Sequence, residues 1–126
     1  MVTDPIGDML VRLTNASRVG KEFVHVPYSA MKAAVAKVLQ AEGYIADVAN
    51  KNGNLALTLV YKDKRPAIGG AKRISKPSRR MYMGVRDVRP IKHGHGLLVL
   101  STPAGVVTGK EAREKRVGGE VLFEIW

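Results

Sequence analysis

The sequence predicts an α+β protein of two small domains, an N-terminal α-β-α-β-β unit and a C-terminal unit that is mainly β with one short helix. Three observations carry that expectation. Long helical periods of apolar residues occur only before Gly43, while later apolar runs have strand length. An Asn52-Gly53 pair stands between two such runs, a strong hairpin signal. A stretch rich in glycine, proline and cations at 63–71 separates the halves. The expected division is therefore 1–62, a linker or exposed loop at 63–71, and 72–126. A chain of 126 residues suffices for one ordinary domain or two very small ones.

The first helix is expected to open at Asp4 as N-cap with Pro5 at its first position. Ile6, Met9, Leu10 and Leu13 recur at helical spacing as its buried stripe, and Asp8, Arg12 and Asn15 share the opposite face. It should fade between Ser17 and Gly20. Phe23–Val26 is a strand stopped by Pro27. Ser29 caps a second helix with Met31, Val35, Val38 and Leu39 as its apolar face and Gly43 beyond its end. Tyr44–Val48 and the alternation around Leu55, Leu57 and Leu59 give two more strands. In the second half, Arg73–Ser75 and Arg80–Val85 are short strands separated by a Pro77-Ser78 turn. Pro90–Gly96 is irregular, and Leu97–Ser101 is a buried strand. Thr108 opens a short helix ending at Gly118-Gly119, and Val121–Trp126 closes the chain.

Composition narrows the function. Lys and Arg number 21 against 11 Asp and Glu, a net charge of +10. Between Lys62 and Lys92 stand 11 cations and 2 carboxylates, so nearly all the excess lies in a quarter of the chain. A run so unbalanced repels itself unless a polyanion neutralises it. With no cysteine, disulfides and thiolate chemistry are excluded. No apolar stretch approaches the roughly 20 residues of a membrane helix, and the start lacks the basic and apolar regions of a secretion signal. A cytoplasmic protein with no membrane contact and no small-molecule substrate is expected, monomeric by itself.

The motifs point the same way. Ser101-Thr102-Pro103-Ala104-Gly105 through Lys110 has the outline of a phosphate-binding loop. Three residues rather than four separate its glycines Gly105 and Gly109, however, and Lys110 is followed by Glu111 rather than Ser or Thr. Thr108 and Glu111 instead form a capping box. That leaves Ser101, Thr102 and Gly105 as hydroxyl and backbone groups suited to phosphate, ribose 2′-OH and base edges, with ordinary turn chemistry as the plain alternative. His93-Gly94-His95 lacks further ligands, so neither a metal nor a cofactor is expected. No nucleophile–base set suggests an enzyme. Glu120, after two glycines, is expected to accept from Ser101, Thr102 or an RNA 2′-OH. Lys72, Arg73, Arg79 and Arg80 are candidates for neutralising phosphates, and Tyr82 for stacking on a base.

Three motifs in register carry a family resemblance over residues 4–126. Asp4-Pro5-Ile6 with Asp8-Met9-Leu10, Arg12 and Asn15 is similar to the N-terminus of the bacterial small-subunit ribosomal protein number eight family. Arg73-x-Ser75-Lys76-Pro77-x-x-Arg80-x-Tyr82 resembles its central segment. Gly96, Ser101-Thr102, Gly105, Thr108, Glu111-Ala112-Arg113 and Gly118-Gly119-Glu120 resemble its C-terminal signature. The resemblance implies a two-domain structural protein of the small ribosomal subunit. It implies primary binding to the central domain of small-subunit rRNA, assembly of the platform, and ribosomal proteins five and twelve as neighbours. It also implies repression of the protein's own operon mRNA, as some bacterial members do. Contacts to the RNA minor groove fall to Ser101, Thr102, Gly105, Gly118, Gly119, Glu120 and Tyr82, with Arg12, Asn15 and Lys32 as backbone contacts from the N-terminal half. The family usually carries Ser-Thr-Ser-Lys-Gly where this chain has Ser101-Thr102-Pro103-Ala104-Gly105, so one or two RNA contacts are expected to be lost or replaced. The competing reading is an architectural protein that binds any nucleic acid by charge alone.

Overall fold

A computed structural model describes residues 4–84, 86 and 96–126. The expected end of a strand at Val85, most of the irregular Pro90–Gly96 stretch and the His93/His95 pair lie outside the described residues. In order, the elements are α1 (Pro5–Val19), β1 (Phe23–Pro27), α2 (Ala30–Ala41), β2 (Ile45–Lys51), β3 (Asn54–Leu59), β4 (Tyr61–Lys62) and β5 (Arg65–Pro66). They are followed by β6 (Ala71–Arg73), β7 (Tyr82–Met83), β8 (Leu97–Thr102), β9 (Gly105–Thr108), α3 (Gly109–Lys115) and β10 (Gly119–Ile125).

Local chemistry accounts for the helix limits. The Asp4 side chain accepts from the Gly7 amide, Pro5 occupies the first turn, and Gly20 closes α1 in the left-handed region at φ 80°. Ser29 caps α2 by accepting from the Lys32 amide. The expected capping box is present on α3, with Thr108 and Glu111 bonding reciprocally. Its end differs from expectation. The helix stops at Lys115, and Arg116 caps it at φ 55°, so Gly118 and Gly119 lie beyond its end, Gly119 as the first residue of the next strand.

The N-terminal sheet has the order β1-β3-β2, all antiparallel, and Asn52-Gly53 makes its tight turn at φ 52° and 82°. The C-terminal sheet runs β6-β10-β8-β9, with β7 also on β10. Both β6 and β7 lie along one side of β10, β6 against Phe123–Ile125 and β7 against Gly119–Glu120. They are two halves of one edge, interrupted by a tight excursion in which Lys76 and Arg79 exchange backbone hydrogen bonds of 3.0 and 2.9 Å. The strand β9 was not anticipated. Val106–Thr108 look like the approach to a helix, but Val107 and Thr108 are buried as β9 pairs with Leu100 and Val99.

The 63–71 stretch is not a plain loop. Arg65–Pro66 pair with β4, Ile68 is buried, and Ala71 already belongs to the C-terminal sheet. One apolar cluster runs through both halves: Met9 and Leu13 of α1, Val35 and Leu39 of α2 and Leu57 of β3 join Val99, Phe123 and Ile125. A smaller cluster of Leu98, Leu100, Val107, Ala112 and Val121 lies under α3. Alternate residues of β8 therefore serve different cores, as a strand covered on both faces requires. Ser101 continues the face of Val99, past the point where the core ends.

Candidate nucleic-acid interface

At that end of the sheet, side chains predicted for RNA contact fall into one row. Tyr82 pairs with Glu120, Glu120 with Ser101 and Ser101 with Val106, across four strands. Directly paired residues in antiparallel strands point to the same face. Tyr82 is 69% exposed, so its ring is free to stack. Beside the row lies the β8–β9 hairpin, whose central residues Pro103 and Ala104 are exposed. The Thr102 hydroxyl donates to the Gly105 carbonyl at 2.8 Å and accepts from the Ala104 amide at 3.1 Å. The hydroxyl is thus engaged within the turn, and Gly105, at φ 107°, occupies a conformation that requires glycine.

Gly118 and Gly119 do their work through the backbone. A Cβ on Gly118 would collide with the Met83 carbonyl and Gly84, and one on Gly119 with the Ser101 carbonyl and Thr102. The two glycines let β7 and β8 close on the start of β10, which is what brings Tyr82 and Ser101 to either side of Glu120.

Glu120 does not bond to the Ser101 or Thr102 hydroxyl, as the sequence suggested. Its carboxylate accepts from the Ser75 hydroxyl at 2.5 Å and from Arg80 at 3.0 Å. Burial opposes its ionisation, but the hydrogen bonds from Ser75 and Arg80 and the charges of Arg80 and Arg73 prevail and hold the carboxyl below the usual range. Ser75, wholly buried, also accepts from the Met81 amide at 3.1 Å. One hydroxyl thereby ties the base of the basic excursion to Glu120 and to the residue preceding Tyr82. Sequence reasoning quoted Ser75 only as part of a motif. The signal available was a small polar residue between apolar and basic neighbours, too common to single out.

The other predicted residues divide. Arg80 and Arg79 remain at the row, Arg80 with 49% of its side chain exposed. Lys72 is exposed on β6, opposite Glu124 and several residues along the sheet. Arg73 turns inward: it pairs with Asp4 at 3.2 Å and donates to the Leu122 carbonyl at 2.5 Å, with 11% of its side chain exposed. Arg12 pairs with Asp8 at 2.9 Å and donates to the His25 carbonyl at 3.0 Å, pinning α1 to β1. Asn15 lines a separate groove with Arg12 and Phe23. Lys32 sits on the buried stripe of α2, one turn before Val35 and Ala36, with 5% exposure. Among the described residues no buried side-chain polar atom lacks a partner, so its long stem is covered while its ammonium reaches water. No group of His, Asp or Glu among the described residues is placed to hold a metal ion.

The chain is thus a basic α+β protein with two sheets over a shared core and a polar row at one sheet end. A sequence model of the ribosomal protein S8 family matches residues 4–126. The small ribosomal subunit protein uS8 of Nitratidesulfovibrio vulgaris is 48% identical over the full length of both chains. That of Persephonella marina is 43% identical, also over all of both chains. That of Roseiflexus castenholzii is 45% identical over 99% of this chain and 98% of its own. The chain belongs to the ribosomal protein S8 family, and so to the structural, non-enzymatic proteins of the small subunit of the cytoplasmic ribosome.

Proposed function

We propose that the chain is a primary rRNA-binding protein that holds an irregular helix of the small-subunit rRNA central domain and helps assemble the platform. The observation that carries this reading is the Tyr82–Glu120–Ser101 row beside the β8–β9 hairpin. It offers an aromatic face, a hydroxyl and an oriented guanidinium on one exposed surface. Such a surface suits the wide, shallow minor groove of RNA, where 2′-OH groups and base edges are displayed. Electrostatic capture by Arg79, Arg80, Lys76 and Lys72 comes first, and readout by Tyr82, Ser101 and the backbone of Gly105, Gly118 and Gly119 follows. Glu120 acts by holding Arg80 rather than by meeting the RNA itself. In this reading residues 72–126 form the RNA-binding domain, and 1–62 add contacts through Asn15 and Lys32. Ribosomal proteins five and twelve are the protein neighbours, and an mRNA mimic of the rRNA site in the protein's own operon is a second ligand.

The test is binding of the purified chain to a central-domain hairpin across a salt series, beside duplex RNA and duplex DNA of equal length. Preference for the hairpin should survive at higher salt and erode in Ser101→Ala and Tyr82→Ala. Equal affinities that collapse together as salt rises would favour charge alone and sink this reading.

A further inference from the structure

The hydroxyl side chains of the described residues are engaged or covered, with one exception. Ser29 and Thr108 cap helices, and Thr14 donates to the Leu10 carbonyl. Ser75 is buried against Glu120, and Thr102 closes the β8–β9 turn. Ser17 is buried, and Thr58 and Ser101 are half-buried. Ser78 differs from all of these. It is the one exposed serine or threonine among the described residues, and its hydroxyl bonds to none of them.

Ser78 stands at the corner of the excursion between β6 and β7. Lys76 and Arg79 close that corner through their two backbone hydrogen bonds, and Pro77 and Ser78 lie between them. Neither Pro77 nor Ser78 has a positive φ, so the turn is one that most residues can make. The backbone therefore does not call for serine at 78. Residues 76–80 are all exposed, while the Ser75 hydroxyl and the Met81 amide anchor the two ends of the excursion. With two hydrogen bonds and no buried side chain to hold it, the corner opens locally at little cost. Opening would present Ser78 in an extended stretch to a modifying enzyme and leave the sheet in place.

The surroundings select the modification. Lys76, Arg79 and Arg80 flank the hydroxyl in sequence, and the ion pairs among the described residues use Arg80 alone of the three. A phosphate carries about −1.5 to −2 charges and three acceptor oxygens. On Ser78 it would find cationic donors at once, Lys76 and Arg79 across the turn and Arg80 in competition with Glu120. Those cations are the ones that capture RNA phosphates in the reading above. A neutral acyl or sugar group would meet no such partners. We propose that Ser78 is a phosphorylation site, and that its phosphate withdraws the basic excursion from RNA; the regulatory half rests on the RNA-binding reading. The modifying enzyme is a serine kinase whose substrate groove is acidic, to suit the cations on both sides of Ser78. The Ser78 Oγ attacks the γ-phosphorus of a nucleoside triphosphate, the bond from that phosphorus to the β-phosphate oxygen breaks, and the nucleoside diphosphate leaves. The hydroxyl proton passes to a base of the kinase.

The first measurement maps phosphate on the native chain by peptide mass spectrometry, in the ribosome-free pool and in assembled small subunits from the same cells. Phosphate should be found on Ser78 in the free pool and be depleted from the subunits. Its absence from Ser78 in both pools, or equal occupancy in both, overturns the proposal. The second compares wild type, Ser78→Ala and a chain with phosphoserine installed at position 78, each titrated against the central-domain hairpin over a salt series. The phosphorylated chain should lose about ten- to a hundredfold in affinity at roughly 0.1 M salt, and its slope of log affinity against log salt should flatten by about 2. Ser78→Ala should bind as wild type does, and all three chains should melt together because the corner is exposed. An unchanged affinity and slope in the phosphorylated chain overturns the proposal. A parallel fall in its melting temperature overturns it as well, because loss of fold would then explain the loss of binding. If wild type itself shows no preference for the hairpin over plain duplex, the reading of the row fails, and Ser78 is still judged on the phosphate map.

Discussion

The two ends of β10 belong to one strand and do opposite work. From Leu122 to Ile125 the strand carries core: Leu122, Phe123 and Ile125 are buried, and the neighbouring Arg73 is folded inward onto Asp4 and the Leu122 carbonyl. At Gly119–Glu120 the side chains shrink to nothing or become charged, the core stops, and Tyr82 and Arg80 stand outward. Arg73 and Arg80 come from the same basic run, yet one is a structural tie and the other a surface group. Charge density along a sequence therefore marks a region that meets a polyanion without saying which cations do so. Burial and the nearest carboxylate decide that.

Phe123→Ala should give the largest effect and break the core end alone. The ring is fully buried, and such a truncation costs about 3–5 kcal/mol. Chemical denaturation measures it, and whatever fraction stays folded should still prefer the RNA hairpin. Arg73→Gln comes next. It removes a partly buried charge that Asp4 meets, and the loss is on the order of 1.5–3 kcal/mol, the value of hydrogen bonds to charged groups. Asp4 also caps α1, so the variant should loosen the first turn of that helix and speed amide exchange there. Its salt slope for RNA should match wild type. A slope flatter by 1 with unchanged stability would return Arg73 to the RNA-facing set.

Much of the N-terminal half was legible because its signals are local. Asp4-Pro5, Ser29 and Asn52-Gly53 each act through hydrogen bonds or dihedrals within a few residues, so their spacing suffices to place α1, α2 and the β2–β3 turn. The capping box of α3 was legible for the same reason. What escaped is set by partners distant in sequence. Val106 and Val107 read as a loop until Ser101 and Leu100 pair with them. Glu120 lies 45 residues from Ser75, and no spacing rule connects them. Lys32 shows the opposite failure: a lysine in the first turn of a helix reads as exposed, but it completes the stripe of Val35, Ala36 and Leu39. Gly118-Gly119 was legible as important, though for close backbone approach rather than as the end of a helix.

At the exposed end of β10, Tyr82→Ala separates binding from folding. The side chain is largely in solvent, so stability should move by no more than about 0.5 kcal/mol. Affinity for the hairpin should fall by about 1–3 kcal/mol if the ring stacks on a base. A binding loss that appears equally with plain duplex would show that the ring does not read the irregular site.

The smallest effect sharpens the comparison most, because it isolates the charge on Glu120. Its folded carboxyl titrates below the ordinary value: burial opposes ionisation, but Ser75, Arg80 and Arg73 outweigh it. A group depressed in this way contributes stability that is fully present above its unfolded pKa and is lost as pH falls through the folded one. Wild type should thus exceed Glu120→Gln in stability at neutral pH, and the gap should narrow as the solution is acidified below the usual carboxylate range. The other carboxylates are common to both proteins, so the difference between the two melting curves removes their contribution. Ser75→Ala takes away a donor to the charged form, so in that background the gap should be smaller at neutral pH and should finish closing at higher pH. Hairpin affinity should follow the same course, because protonated Glu120 no longer holds Arg80 by charge. A gap that stays constant from neutral to acid pH would mean that Glu120 serves the sheet end by packing alone, and the contrast between its charged end and its core end would lose its electrostatic half.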